Sequence, residues 1–210
     1  MSIALATVAY GPTYLGFLPA WAQAINALTT QPDTIIILTD DPAQAREHTT
    51  GMNPHIIPIT GSHKYHPHKH LTPVLRQVDA DWICKMDVDD RIRPHALDHL
   101  SLSDADVVMF GIQFGPHALY AKPVQAHHIL NIPENLVFSG SPYRKWLLSE
   151  AVYRDMIYED WAFWIDCARQ GARFQPSGTI DYDYIAHDHN ISTNVNDNYW
   201  RSIVLSGQGL

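Results

Sequence analysis

The chain has few cysteines, few basic residues and no long apolar run, and each shortage excludes a class of protein. Two cysteines among 210 residues, Cys84 and Cys167, cannot form a disulfide framework or a zinc ribbon, so we expect buried, reduced thiols. With 14 basic residues against 22 acidic ones, the net charge is -8, which is not a nucleic-acid signature.

The distribution of apolar residues predicts neither a membrane protein nor a disordered one. No apolar run approaches the roughly 20 residues that span a bilayer, and the first residues lack the basic region of a secretory signal. We therefore expect a cytoplasmic protein without stable membrane insertion. A hydrophobic content of 46% excludes general disorder, and the length fits a single domain over residues 1–210.

Apolar runs typical of buried strands alternate with segments of helical periodicity. The opening order of strand, helix and strand predicts a parallel, right-handed crossover unit. We therefore expect the α/β class, with a mostly parallel central sheet flanked by helices. Strands are predicted over residues 3–10, 34–38, 55–60, 82–86, 105–114 and 180–186, and helices over 18–28, after Thr72-Pro73, from Arg91, over 158–171 and over 199–205.

The predicted strand over residues 82–86 ends in three carboxylates, those of Asp87, Asp89 and Asp90. Open α/β sheets bind their ligands at the carboxyl ends of the strands. Carboxylates this close repel one another unless a cation, basic groups or solvent offset their charge, and Mg²⁺ or Mn²⁺ binds such oxygens together with substrate phosphates. The stretch predicts a metal-diphosphate site, and an acidic turn that closes the strand is the alternative.

A histidine-rich segment over residues 63–70 permits two interpretations. Three of its histidines stand at alternate positions and could bind Zn, Cu, Fe or Ni from an extended strand, although a proline interrupts them. The alternative is a solvated loop in which Lys64 and Lys69 approach the phosphates of a ligand. The alternate histidines are His66, His68 and His70.

The predicted helix over residues 158–171 has two carboxylates, Glu159 and Asp160, at its beginning. Apolar residues recur at helical spacing after them, and Gly171 stands where a left-handed residue commonly ends a helix. The two carboxylates could simply cap the helix and oppose its dipole, which requires no function. The apolar positions are Trp161, Trp164, Ile165 and Ala168.

In order and approximate spacing, these motifs resemble those of a glycosyltransferase of the GT-A fold, most closely family 2 of the sequence-based classification. The resemblance covers residues 3–192, with residues 115–142 the poorest match. It implies a GT-A, Rossmann-like fold. The motifs that carry it are Ala9-Tyr10-Gly11, Thr39-Asp40-Asp41, Met86-Asp87-Val88-Asp89-Asp90, Tyr158-Glu159-Asp160-Trp161 and Tyr184-Ile185-Ala186-His187.

The resemblance implies a donor site built from the first two strands. Val8, Ala9 and Tyr10 match the strand end that lines the base pocket. Asp40, or its neighbour Asp41, matches the position that hydrogen-bonds the nucleotide base.

The resemblance also implies a metal and diphosphate site. Asp87 matches the first acid of the DXD motif, near the ribose and the metal, and Asp89 matches the acid that coordinates a divalent cation, with Asp90 beside it. His187 matches the histidine of a carboxyl-terminal Tyr-Arg-x-His motif that can reach the diphosphate or the metal. The arginine of that motif is absent, because Ile185 and Ala186 stand between the tyrosine and the histidine.

The implied catalytic base is Asp160, with Glu159 as the residue that orients it. Transfer from a nucleotide sugar passes through an oxocarbenium-like transition state, so an acceptor hydroxyl must lose its proton while the leaving diphosphate is neutralised. The helix dipole is expected to lower the pKa of Asp160 and keep it ionised.

The resemblance implies an inverting hexosyltransferase-type enzyme that uses Mn²⁺ or Mg²⁺ and a nucleoside-diphosphate sugar, with a UDP-sugar favoured. The acceptor could be a saccharide, a protein, a lipid or a modified base. The compact form suits a small accessory transferase of a bacterial cell or of virus-infected host cytoplasm.

Two other functions remain open from the sequence. A nucleotidyltransferase also holds nucleoside phosphates with carboxylates and a cation, but its first loop normally carries a basic residue, which Gly11-Pro12-Thr13-Tyr14 lacks. A non-catalytic nucleotide-sugar binding module is the second alternative, and the presence of Asp87, Asp89 and Asp160 together disfavours it.

Overall fold

The computed structural model describes residues 1–60, 67–188, 190 and 197–206. His63, Lys64 and His66 of the histidine-rich segment lie outside these residues. Among the described residues, no helix is both long enough and apolar enough to cross a bilayer.

Strands and helices alternate along the first half of the chain, as predicted. The strands are β1 (Ile3–Ala9), β2 (Thr34–Thr39), β3 (His55–Pro58), β4 (Trp82–Lys85), β5 (Arg91–Ile92), β6 (Val107–Phe114), β7 (His117–Leu119), β8 (Tyr143–Arg144) and β9 (Phe174–Tyr184). The α-helices are α1 (Gly11–Leu15), α2 (Leu18–Asn26), α3 (Pro42–His48), α4 (Leu71–Gln77), α5 (Ala126–Asn131), α6 (Glu159–Arg169) and α7 (Asp197–Ser206), and 3₁₀ turns cover Pro67–His70, Asp98–Ser101 and Lys145–Ser149.

The described strands form one sheet in the order β3-β2-β1-β4-β8-β6-β9-β5, with β7 paired to β6. Pairing is parallel from β3 through β4 and again between β6 and β9, and the parallel pair of β1 and β2 agrees with the crossover unit predicted for the opening of the chain. The short strands β5, β7 and β8 pair antiparallel. The carboxyl ends of β1 and β4 therefore meet at one edge of the sheet.

Helices cover both faces of the sheet, which explains why its central strands are mostly apolar. All seven residues of β1 are buried. Its alternate side chains enter two separate clusters, one shared with α4, α5 and α6 and the other with α1, α2 and α3. The strand predicted over residues 105–114 is β6, and it is buried from Val107 to Ile112 as expected.

Two local predictions are wrong. Arg91 does not open a helix, because Arg91 and Ile92 pair with Asp183 and Tyr182 of β9, and the helical turn begins later. Thr72 does not cap the following helix either. The preceding 3₁₀ turn continues directly into α4, so Thr72 lies inside it, where its buried hydroxyl accepts a hydrogen bond from the Tyr153 amide.

The contact between β6 and β9 is irregular at Gly111, where the register shifts. A Cβ atom at this position would overlap the carbonyl oxygen of Thr179 and also approach the carbonyl oxygen of Leu119 at 3.3 Å. Both neighbours are backbone atoms, so they cannot move aside as a flexible side chain could.

We expect Gly111→Ala to destabilise the protein by about 1–3 kcal/mol through overpacking, which corresponds to a fall in melting temperature of roughly 3–10 °C. Thermal unfolding followed by circular dichroism measures the change. Gly16→Ala is the control, since Gly16 has helical backbone angles and a Cβ atom there would approach its nearest neighbour, the carbonyl oxygen of Thr13, at 3.3 Å without overlapping it. Equal melting temperatures for the two variants would contradict the close approach.

Candidate donor and acceptor site

A cavity of about 550 Å³ lies at the edge of the sheet where β1 and β4 end. Residues from both ends of the chain line it, including the carboxylates predicted after β4 and at the start of α6. The lining residues that the sequence predicted are Val8, Tyr10, Asp87, Asp89, Asp90, Glu159 and Asp160.

Asp89 lines this cavity and forms a pair with His187, which was predicted as a metal ligand but is not one of the lining residues. Asp89 is 8% exposed, and its Oδ2 lies 2.9 Å from Nε2 of His187. Two ligands bound to one cation at about 2.1 Å and at right angles lie about 3 Å apart, so the pair fits two neighbouring positions of an Mg²⁺ or Mn²⁺ ion. Burial and the nearby Asp87 raise the pKa of Asp89, which indicates that a positive charge here would stabilise its ionised form.

Asp90 has protein partners for both of its oxygens. The hydroxyl of Tyr182 donates to Oδ2 at 2.5 Å, and the amide of Ile185 donates to Oδ1 at 2.8 Å. Burial, together with the charges of Asp87 and Asp89, raises the pKa of Asp90 to about 8. Asp90 therefore ties the end of β4 to β9 and is less suited to metal ligation than Asp89.

Asp87 is held by a lysine and a serine. The ammonium of Lys85 lies 2.6 Å from Oδ1, and the hydroxyl of Ser139 donates to Oδ2 at 2.7 Å. Burial alone would raise the pKa of Asp87, but the charges of Lys85 and His68 outweigh it and hold the pKa below its ordinary value.

Glu159 joins the same cluster from the first turn of α6. Its Oε1 lies 3.1 Å from Nζ of Lys85 and 3.4 Å from Nδ1 of His68. Burial opposes its ionisation, but His68 and Lys85 more than offset this and lower its pKa. Among the described residues, His68, Asp87 and Glu159 form the group of three possible metal ligands, with atoms within 4.8 Å of one another. The four metal ligands predicted from the sequence, all within the described residues, do not form such a group. They are Asp87, Asp89, Asp90 and His187.

Asp160 lies beside Glu159 in the sequence. Its Oδ2 accepts a hydrogen bond from the side-chain amide (Nδ2) of Asn135 at 2.9 Å. The prediction that the helix dipole lowers its pKa is wrong. Burial and the neighbouring charge of Glu159 raise the pKa of Asp160 to about 7, because their combined effect exceeds that of Lys85 and the Trp161 amide.

The residue that precedes these carboxylates has an unusual backbone. Tyr158 has φ 64 and ψ 34, in the left-handed region that side chains other than glycine rarely adopt. It is the N-cap of α6 and also lines the cavity. Such strain is often found at functional sites, where the surrounding structure holds it in place.

Several residues predicted for the donor site, all within the described chain, do not line the cavity. Oδ1 of Asp40 accepts the Gly11 amide at 2.8 Å and so fixes the loop after Tyr10, while Oδ1 of Asp41 caps α3. Nζ of Lys69 lies 2.5 Å from Asp155 on the surface. Ala9 is buried in the core.

Several polar residues of the site had not been predicted, among them Ser139, Asn135, Arg201 and Lys85. Ser139 and Asn135 come from residues 115–142, which have no clear periodicity, so no sequence signal indicated them. Arg201 on α7 also lines the cavity, with its guanidinium 5.7 Å from the Trp161 ring. The sequence did contain a signal for Lys85. A lysine at the end of an otherwise apolar, buried strand needs a counter-charge, so its pairing with a nearby carboxylate could have been predicted.

The backbone is similar to those of solved glycosyltransferases. Residues 1–349 of S. aureus TarS in complex with UDP-GlcNAc match with a TM-score of 0.76 at 14% identity, over 99% of this chain and 66% of that chain. Glucosyl-3-phosphoglycerate synthase from Mycobacterium tuberculosis in complex with phosphoglyceric acid matches with a TM-score of 0.68 at 12% identity, over 99% and 80% of the two chains. No protein-family model and no curated protein sequence matches the chain.

These similarities confirm the predicted α/β class and the GT-A fold. At 12–14% identity they show the fold alone. This chain spans 60% of one structure of TarS residues 1–349 and 66% of the structure in complex with UDP-GlcNAc, which is less than two thirds of each.

The raised pKa of Asp160 predicts a pH-dependent effect on stability. A carboxyl whose pKa is raised in the folded state stabilises the protein below its unfolded pKa of about 4, and this contribution is lost as the pH rises to about 7. Asp160→Asn should therefore raise the melting temperature by a few degrees at pH 8 and by less at pH 5. Differential scanning fluorimetry at both values measures this.

The matched control is Asp79→Asn, which changes an exposed carboxylate away from the cavity. We expect the same melting temperature as the wild type at both pH values. A stabilisation by Asp160→Asn that is equal at pH 5 and pH 8 would contradict the raised pKa.

Proposed function

We propose that the chain is a glycosyltransferase that moves a sugar from a nucleoside-diphosphate sugar to an acceptor hydroxyl with inversion, using a divalent cation. The observation that carries the proposal is that Asp89, just after the end of β4, and Asp160, in the first turn of α6, both line one cavity. The GT-A fold supports it, since TarS with the same fold is found in complex with UDP-GlcNAc and with UDP. A UDP-sugar is accordingly the donor that we favour.

The donor would bind at the β1 and β4 end of the cavity. Val8, Tyr10 and Tyr14 provide an apolar and aromatic wall there, which suits the flat face of a nucleotide base. Asp40 supports this wall through the Gly11 amide rather than by lining the cavity. Ala9 lies behind it in the core.

The diphosphate would bind near Asp89 and His187. When bound by these two side chains, Mn²⁺ or Mg²⁺ supplies positive charge to the leaving diphosphate. The imidazole of His187 packs against the Phe17 ring at 4.8 Å between centroids, and its backbone amide donates to Oδ1 of Asn190 at 2.6 Å. These contacts hold the imidazole in a fixed position toward Asp89.

Asp160 would take the proton of the acceptor hydroxyl. A base functions best when its pKa lies near the working pH, and the pKa of about 7 satisfies this condition better than that of an ordinary aspartate. The hydrogen bond from Asn135 fixes one oxygen of Asp160, and the other can accept the proton. Trp161 and Tyr158 line the cavity on either side of Asp160 and would exclude water.

Nucleotide binding tests the donor site directly. UDP at 100 times its dissociation constant, with Mn²⁺, should stabilise the protein by about 2.7 kcal/mol, which corresponds to a rise in melting temperature of roughly 5–10 °C. EDTA should abolish the rise. Asp89→Ala should abolish it as well, because the pair with His187 is broken.

GDP, CDP and dTDP serve as comparison ligands, and Asp79→Ala serves as the control for a lost carboxylate. A rise that persists in EDTA would contradict the role of the cation. The absence of a shift with all four diphosphates would contradict the glycosyltransferase proposal itself.

The role of Asp160 predicts a separation of binding from transfer. Asp160→Asn should retain the thermal shift with UDP and Mn²⁺ but lose about 10²–10⁴-fold in kcat, the usual contribution of a general base. In the wild type, kcat/KM for the acceptor should fall about tenfold per pH unit below pH 7, because only the ionised carboxylate accepts a proton.

Mass-tagged UDP-sugars with a panel of acceptor hydroxyls provide the transfer measurement, and Asp79→Asn should transfer as the wild type does. Normal turnover by Asp160→Asn would refute its role as the base. A kcat/KM that is constant from pH 5.5 to pH 8 would refute the titration of this carboxylate during transfer.

A further inference from the structure

The junction between β4 and α6 contains a buried lysine that neither the predicted donor site nor the predicted base requires. Lys85 is 3% exposed, and its ammonium lies 2.6 Å from Oδ1 of Asp87 and 3.1 Å from Oε1 of Glu159. A buried charge is retained only when it is paired and hydrogen-bonded. Its third hydrogen bond goes to the hydroxyl of Ser139 at 3.2 Å.

The two oxygens that bind Lys85 are the same oxygens that face His68. The His68 ring lies 3.7 Å from Oδ1 of Asp87 through Nε2 and 3.4 Å from Oε1 of Glu159 through Nδ1. The carboxylates of the candidate metal group thus already share one cation. A divalent ion bound between the same oxygens would lie within a few ångströms of the ammonium, and like charges this close repel strongly in a buried site.

We propose that the ammonium of Lys85 is the resident cation of the cluster formed by His68, Asp87 and Glu159, where it excludes a divalent metal ion. The metal-like arrangement of the three ligands is then explained by the lysine. Asp89 and His187 remain as the pair available to a divalent cation.

Lys85 also connects three parts of the chain that are distant in sequence. It ends β4, it binds the first residue of α6, and it binds Ser139 in the segment between α5 and β8. Because Asp160 follows Glu159 directly, the ammonium fixes the beginning of the helix that carries the proposed base. Lys85 is thus a positioning residue, and this consequence rests on the proposed function, whereas the exclusion of metal does not.

Binding of Mn²⁺ alone tests the proposal, measured by the electron paramagnetic resonance of free Mn²⁺ during titration of the full chain. His68→Gln should leave the Mn²⁺ stoichiometry of the wild type unchanged. Lys85→Met should bind one more Mn²⁺ ion per chain than the wild type, because it keeps the three ligands and removes the competing charge. Lys85→Met with His68→Gln should lose this additional ion.

Lys145→Met is the matched control, since Lys145 lies outside the cavity lining. It should bind Mn²⁺ as the wild type does. The proposal is overturned if His68→Gln removes an ion from the wild-type protein, or if folded Lys85→Met gains none.

A double variant keeps the test decisive if Lys85→Met is too unstable for the Mn²⁺ titration. Removal of one partner of a buried ion pair leaves an uncompensated charge, whereas removal of both is far less harmful. Lys85→Met with Glu159→Gln should therefore recover at least half of the melting temperature that Lys85→Met loses. A double variant as unstable as the single one would overturn the proposal.

These measurements involve neither donor nor acceptor, so they are independent of the nucleotide panel. A protein that binds no nucleotide but gains an Mn²⁺ site in Lys85→Met would refute the proposed function and support the role of Lys85. A protein that binds a nucleotide but gains no Mn²⁺ site in Lys85→Met would refute the role of Lys85 and leave the proposed function intact.

Discussion

Repulsion among carboxylates is the constraint on which the site depends. Two segments far apart in sequence, the end of β4 and the start of α6, bring their acidic side chains to one cavity. Such crowding is stable only if each negative charge is paired or neutralised. The carboxylates concerned are Asp87, Asp89, Asp90, Glu159 and Asp160.

The protein resolves this repulsion in two ways. Asp87 and Glu159 share the ammonium of Lys85 and stay ionised. Asp90 and Asp160 instead have raised pKa values, about 8 and about 7, so they carry a proton for part of the time. A carboxylate that ionises near neutral pH is a better base than one held permanently ionised, so the same crowding that costs stability is useful for proton transfer.

Much of the fold could be predicted because its long elements have strong local signals. The apolar runs of β1, β2 and β6 are typical of buried strands. The apolar residues of α6 recur at helical spacing, which is typical of a helix packed against a core. The pairing of Arg91 and Ile92 could not be predicted, since their partners lie in β9 some 90 residues later, and local sequence favoured a helix. The carboxylates of the site could be predicted from the sequence because they lie at the ends of regular elements. Asn135 and Ser139 could not, because they come from a segment without periodicity.

The missing arginine of the Tyr-Arg-x-His motif changes the charge balance of the proposed donor site. Among the described lining residues, the cationic side chain other than histidine is Arg201, which lies 5.7 Å from Trp161 and donates to the carbonyl of Pro133. Trp161 follows Asp160 directly, so this contact associates Arg201 with the part of the cavity wall that carries Asp160. Within the described part of the chain, the charge of Lys85 is already shared by two carboxylates and is not left for a diphosphate. At the proposed donor site, a divalent cation should therefore matter more than in glycosyltransferases that have this arginine.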